Sequence, residues 1–330
     1  MLFRSTDFTT TLGTLRFAPG ENQKTIEVPI TDDSLPESNE NAFLGLLNAT
    51  GNAGIGPRNA ATLIIHDNDL ATSTNLVDIS SSYVRQHYND FLNRVPDSSG
   101  EQFWINNIES CGSDAQCRQV KRIDTSAAFF LSIEFQKTGF LVYRLYKASL
   151  PETSQRPRAM PRYREFIRDT RELGQGVIVG NSGWEQVLEQ NTVNFTNDFV
   201  YRPEFLANYP ATLSAPAYVD KLNMQAGLVL TFDEYLHLAN GLMAGLETRG
   251  SVLRKIAESQ KLRDAEFNRA FVLMQYFGYL RRNPDDAPNS DFSGFDFWLE
   301  KLNQFGGDYR SAEMVKAFIS SSEYRSRFGP

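Results

Sequence analysis

Five carboxylates are spaced as the ligands of a hard cation would be. Asp32, Asp33 and Glu37 form one group, and Asp67 and Asp69 form another about thirty residues later. Each group follows a short run that alternates in the manner of a strand, Thr25 to Pro29 and Ala61 to Ile65. Carboxylates crowded where strands end repel one another unless a positive charge lies between them. Ca²⁺, which takes about six to eight oxygen ligands, answers that need. Solvated turn acids are the other reading, and spacing alone leaves both open.

Other chemistry is sparse. His66, His87 and His237 do not pair at metal-binding spacing, and no His-Glu-x-x-His occurs. Neither Cys111 nor Cys117 has a neighbouring His to activate it. Glu165, Asp169 and Glu172 are the carboxylates a hydrolase would use, and glycoside hydrolysis needs such groups facing each other across a cleft. The loop from Asp285 to Ser293 is rich in oxygen ligands but lacks EF-hand spacing and a closing Glu. It reads as a solvated loop with Ser293 capping the next helix, a weak Ca²⁺ site being the other reading. No catalytic residue is assigned, and the chain is expected not to be an enzyme.

The elements that must position these groups fall into two kinds. The first 72 residues hold nine acids against four bases, while the whole chain carries −7. The acidic charge is therefore concentrated at the start, which argues for cations and against nucleic acid. At 330 residues, with 41% hydrophobic and 12% aromatic content, the chain is long and apolar enough for two or three packed domains. No run of about 18 apolar residues marks a transmembrane helix, and the N-terminus carries no signal-peptide core.

Gly13 to Glu21, Lys24 to Asp33, Glu37 with Asn39 and Glu40, and Ala61 to Asp69 together resemble a Calx-beta domain. The resemblance covers Thr6 to Asp69. It rests on strand runs, the Pro19-Gly20 turn and acidic clusters in the family's order. It implies an immunoglobulin-like antiparallel β-sandwich whose Ca²⁺ ligands are Asp7, Asp32, Asp33, Glu37, Asp67 and Asp69. Asn68 stands where high-affinity members are acidic, which implies a weaker site. Such a sandwich needs about 100 residues. The expectation over 1–70 is therefore a truncated sandwich with an incomplete Ca²⁺ site, its signal sequence lost by the same truncation. Unpaired strand edges would then be open to pairing with another chain.

Residues 71–79 read as a linker. From Ser80 the spacing becomes helical, with Tyr83, Val84, His87, Tyr88, Phe91 and Leu92 in one stripe. The helical part repeats itself. Tyr88 to Asp97 followed by Gly100-x-x-Phe-Trp104 recurs as Tyr276 to Asp285 followed by Gly294-x-x-Phe-Trp298. The first copy leads to Ser132 to Phe135, and the second to Ser322 to Tyr324. An eroded copy runs from Tyr218 to about Leu262, and a remnant from Phe195 to Tyr209. The expected units are 80–150, a connecting region 151–216, and two further units in 217–330. Stacking is the usual outcome, because one unit cannot bury its apolar face alone.

This pattern resembles a bacterial helical module known as domain of unknown function 4214, itself similar to phycobilisome linker domains. The resemblance implies an all-α fold and an extracellular or cell-surface setting, and carries no established activity. Arg94 and Arg282 are expected to hold loop carbonyls, with Trp104 and Trp298 filling the core in equivalent places. In that exported setting Cys111 and Cys117, isolated in one polar loop, form a disulfide. Two free thiols in a cytosolic protein are the alternative. The combined expectation is a multidomain α and β protein that acts non-catalytically in adhesion or surface assembly. Its partners would be another protein or a surface polysaccharide. The alternative is a carbohydrate-binding or enzyme-accessory surface module.

Overall fold

A computed structural model describes residue 8 and residues 13–30, 40–47, 49, 53–66 and 75–329. Its β portion is small. Strand β1 (Glu40–Gly45) pairs antiparallel with β2 (Ala60–Ile65), with Glu40 opposite Ile65 and Gly45 opposite Ala60. The alternating run at Ala61 to Ile65 therefore lies in β2. Thr25 to Pro29 lies outside the strands, and Ile30 just after it makes one antiparallel bridge to Phe8. Among the described residues there is a two-stranded sheet, not the full sandwich expected. The physical mark of the difference is exposure. Ala42 is buried, but Phe43 and Ile64 are 76% and 55% exposed. No second sheet covers them among the described residues, and a sandwich buries its inner faces only between two sheets.

From Ser80 onward the fold is helical, and several helices begin where the sequence supplies a cap. In the first round Asp97 caps α2 (Ser98–Glu109) and Asp114 caps α3 (Ala115–Leu131), after α1 (Ser80–Leu92). Ser132 then caps the short α4 (Ile133–Lys137) by accepting from the Phe135 N–H at 3.1 Å. The side-chain oxygen satisfies one of the orphan N–H groups at a helix start.

The same order runs on. The second round is α5 (Gly139–Ser149), α6 (Tyr163–Gly174), α7 (Trp184–Phe199) and α8 (Pro203–Asn208). The third is α9 (Ala215–Gln225), α10 (Phe232–Met243), α11 (Arg249–Ala257) and the Ser259-capped start of α12 (Gln260–Met274). Helix α12 passes into a π-helical turn, Gln275–Leu280, which opens the last round. That round continues with α13 (Ser293–Gln304), α14 (Met314–Ile319) and α15 (Ser322–Arg325). Phe195 to Tyr209 thus supplies the end of the second round.

One contiguous apolar core joins these rounds among the described residues, from Leu76 to Phe328. Phe130 of α3 meets Phe271 and Phe267 of α12 at ring separations of 4.6 and 5.5 Å. Helix α1 crosses the π-helical turn closely at Gly278, where a Cβ would lie 2.7 Å from the Phe91 ring. The two ends of the helical region also meet. The Asn75 side chain donates to the carbonyls of Arg325 (3.0 Å) and Gly329 (2.8 Å), and Leu76 N–H donates to Phe328. Asp78 takes both Arg325 Nη atoms at 2.7 and 2.8 Å.

Candidate functional site

All six acids expected to hold Ca²⁺, Asp7, Asp32, Asp33, Glu37, Asp67 and Asp69, lie outside the described residues, as does Asn68. Glu40 opens β1 opposite Ile65, which closes β2. Glu40, three residues after Glu37, and Ile65, two residues before Asp67, therefore lie at the same end of the ladder. The Phe8–Ile30 bridge puts the residue after Asp7 across from the residue two before Asp32. The donors are all hard oxygens, the chemistry Ca²⁺ takes. Among the described residues no group of three or more His, Cys, Asp or Glu is placed to hold a metal ion.

In the helical region the repeated residues build a clasp. Helix α1 ends with Asn93 in the left-handed region (φ 53°) and the π-helical turn with Arg281 (φ 56°). The next N–H closes back in each case, from Arg94 to Tyr88 and from Arg282 to Tyr276. Each bond reaches back six residues, one more than the six-to-one closure of an ordinary helix end. Arg94 then grips Glu134 through Nε (2.7 Å) and Nη2 (2.9 Å), and Arg282 grips Glu323 at 2.6 and 3.0 Å. Each guanidinium also donates to a loop carbonyl, Val95 or Asn283, at 3.1 Å. Each lies over the tyrosine that closes its helix, 4.9 Å from the Tyr88 ring and 5.5 Å from Tyr276. Gly100 and Gly294 leave room for those two hydroxyls, which a Cβ would strike.

The second round holds the same clasp with different spacing. Arg156 meets Glu204 at 2.7 and 3.1 Å and lies 4.8 Å over Tyr146. In the third, Lys261 takes the place of the glutamate and donates to the Leu228 carbonyl at 2.7 Å, next to Val229. Leu228 again has positive φ (58°). Both members of the pair change together. Sequence reasoning gave the arginines their loop carbonyls but missed the glutamates, although Ser-x-Glu-Phe carried the signal.

Trp104 and Trp298 are only half-buried, not enclosed. Each packs on the equivalent core ring, Phe129 at 5.9 Å and Phe318 at 5.7 Å. Each also holds its preceding Phe edge-on, at 4.9 and 5.0 Å, and Phe103 and Phe297 are 62% and 57% exposed. The indole is shared between the core and an outward aromatic because helix phase turns the preceding residue to solvent.

Cys111 and Cys117 are disulfide-bonded, with Cα atoms 5.6 Å apart, across the α2–α3 turn. The carboxylates weighed for hydrolysis are engaged by arginines. Glu165 takes both Nη atoms of Arg156 at 2.7 and 2.8 Å, and Glu172 takes Arg16 at 2.8 Å. Asp169 is fully buried between Arg202 and Arg168 and accepts from the Tyr146 hydroxyl at 2.7 Å. Burial favours its neutral form, but the two arginines outweigh that and hold it below the usual carboxylate range. In the Asp285 loop, Asp291 rather than Ser293 supplies the capping oxygen, accepting from the Ser293 N–H at 2.9 Å.

His87 makes the closest approach to a catalytic pair. Its Nε2 lies 2.9 Å from Ser126 Oγ and its Nδ1 lies 2.7 Å from the Tyr83 carbonyl. The carbonyl can only accept, so Nδ1 carries the proton and Nε2 accepts from the serine. Ser126 in turn meets the Tyr279 hydroxyl. His87 and Ser126 are each 1% exposed, so no substrate reaches them. Burial pushes the imidazole down to about 4, which keeps it neutral. The network ties α1 and α3 to the π-helical turn.

Comparison with known proteins places these two regions. Over 66 residues the chain is 44% identical to the Adhesion G-protein coupled receptor V1 of Danio rerio, a stretch that is 20% of this chain and 1% of that receptor. No solved structure gives a significant match. Among the described helices none is long and apolar enough to cross a membrane. Residues 4–69 match the Calx-beta domain, and residues 69–139, which take in the first helical round, match the Domain of unknown function (DUF4214), so the chain carries the one directly followed by the other.

Proposed function

We propose that this chain is a non-catalytic, extracellular or cell-surface module in which Ca²⁺ orders the acidic β portion and the helical region serves structure or adhesion. The observation that carries the reading is the ladder register. It brings the backbone flanking two acidic clusters to one end of β1 and β2, within a stretch that matches the Calx-beta domain. Asp7, Asp32, Asp33, Glu37, Asp67 and Asp69 would hold the ion, which would replace their mutual repulsion with attraction. The named receptor relative supports a surface setting for the β portion alone.

Calorimetry tests the Ca²⁺ reading. Ca²⁺ at about a hundredfold excess over its dissociation constant should stabilise the β portion by about 2.7 kcal/mol. Asp33→Ala or Asp67→Ala should remove the response. A β portion whose melting ignores Ca²⁺ would sink the proposal.

A carbohydrate-binding role is the second reading, supported by the exposed rings of Phe103 and Phe297 at equivalent places. It requires that Phe103→Ala with Phe297→Ala weaken retention on a polysaccharide column.

A further inference from the structure

Helices α12 and α13 leave a cleft between them of about 460 Å³. Small-molecule sites span about 300–1,000 Å³, so the cleft falls within their range. Its walls include Asp264, Phe267, Asn268 and Arg269 from α12, with Leu299 and Asn303 from α13. Asn268 Nδ2 donates to Asn303 Oδ1 at 2.8 Å, so one amide pair spans the two helices. The Phe267 ring is held in place by the rings of Phe130 and Phe140, which it meets edge-on at 5.5 and 5.8 Å.

The polar groups of the cleft keep unused capacity. Asp264 accepts from Gln260 at Oδ1 (2.7 Å), and its other oxygen has no partner among the described residues. Arg269 is 53% exposed and comes no closer than 3.9 Å to Glu266, so its N–H groups lack a hydrogen-bond acceptor among the described residues. Glu266 is committed elsewhere, accepting from the Tyr143 hydroxyl at 2.7 Å. The bond between the two amides leaves an acceptor on Asn268 and donors on Asn303. One acid and one base give the cleft no net charge. A bare anion would meet Asp264, and a bare cation would meet Arg269. A ligand that suits all four polar groups is neutral, donates as well as accepts, and turns an apolar side to Phe267 and Leu299. A sugar is built this way, with hydroxyls around its edge and C–H groups on its face.

We propose that the cleft between α12 and α13 binds a neutral sugar. Asp264 accepts from its hydroxyls, Arg269 donates to them, and the amides of Asn268 and Asn303 do both. Phe267 and Leu299 meet its apolar face. Hydrogen bonds to the charged groups are the stronger ones. The proposal takes its ligand class from the carbohydrate-binding reading above and rests on it in that respect alone, because neither Phe103 nor Phe297 lines the cleft.

Saturation-transfer NMR on the full chain tests this, with maltotriose, cellotriose and mannotriose as probes. At least one should bind saturably, whereas glycerol, which has hydroxyls but no ring face, should not. Asn303→Ala and Arg269→Met remove exposed groups, and each should weaken that binding about tenfold. Asn194→Ala, which removes an exposed amide that Gln190 bonds on α7, should leave it unchanged. Circular dichroism establishes that each variant is folded. Loss of binding in the folded cleft variants supports the site, whatever Phe103→Ala with Phe297→Ala does. If that pair loses the sugar while the cleft variants bind as the parent does, the cleft proposal is overturned and the reading based on the two exposed rings stands. The proposal is overturned equally if none of the three probes binds.

Discussion

His87 governs how the helical region meets acid. In an unfolded chain its imidazole protonates near its ordinary value of 6.5, whereas in the folded core burial lowers this to about 4. Above pH 6.5 neither state takes the proton and His87 has no influence. As pH falls from 6.5 towards 4, the unfolded chain binds a proton that the folded one refuses, so stability is lost. Below about 4 both states bind it and the loss stops growing. The window amounts to about 3 kcal/mol. Urea unfolding at stepped pH should show it as a difference between the parent and His87→Gln, with the variant's slope shallower over this range. Equal slopes would mean that His87 is not the group responsible. The Ser126 contact does not change this reasoning, because the hydroxyl has no charge to stabilise an imidazolium.

At the scale of the elements, the clasp explains why some residues recur and others drift. Arg94 and Glu134 are both largely buried, so removing one strands the other. Arg94→Met should cost about 3 kcal/mol, and Arg94→Met with Glu134→Leu should recover most of it. Denaturant midpoints of the two variants decide the matter. A double variant no better than the single would show that the glutamate was never stranded. The third round, with Val229 and Lys261, is the same exchange carried by the chain itself. The helices and the recurrent turn were legible in the sequence, because apolar spacing is a local signal, whereas the cap expected of Ser293 was not, since that residue lies inside the first turn of α13. The partners of the arginines were not, since Glu134 lies forty residues from Arg94 and no local pattern joins them. The half-burial of Trp104 was also hidden, since a Gly-x-x-Phe-Trp motif does not say which ring faces out. In the β portion the run at Ala61 to Ile65 was legible, while β1 was not, because Glu40 to Gly45 shows little alternation. The candidate Ca²⁺ ligands were legible as types in an order, and their arrangement depends on tertiary placement that spacing does not encode.

At the scale of the whole molecule, the helical rounds share their core instead of each having its own. Phe130 of the first round packs on Phe267 and Phe271 of α12, and His87 reaches Tyr279 through Ser126. The stretch 75–139, although it takes in one round, should therefore not fold alone. Its circular dichroism is expected to lack a cooperative thermal transition, whereas the full 75–329 region should melt cooperatively. A sharp transition in the short stretch would show that each round is self-sufficient. The meeting of Asn75 with Gly329 has a mechanical consequence. A pull applied between those two points does not stretch the helices along their length. It opens the seam crosswise, so the bonds of Asn75 and the Asp78–Arg325 pair carry the load one after another instead of together. Forced unfolding is set by the rate at which such a barrier is crossed. The helical region should thus yield from its joined ends at low force, paying out chain under tension while the aromatic interior is the last part to give way.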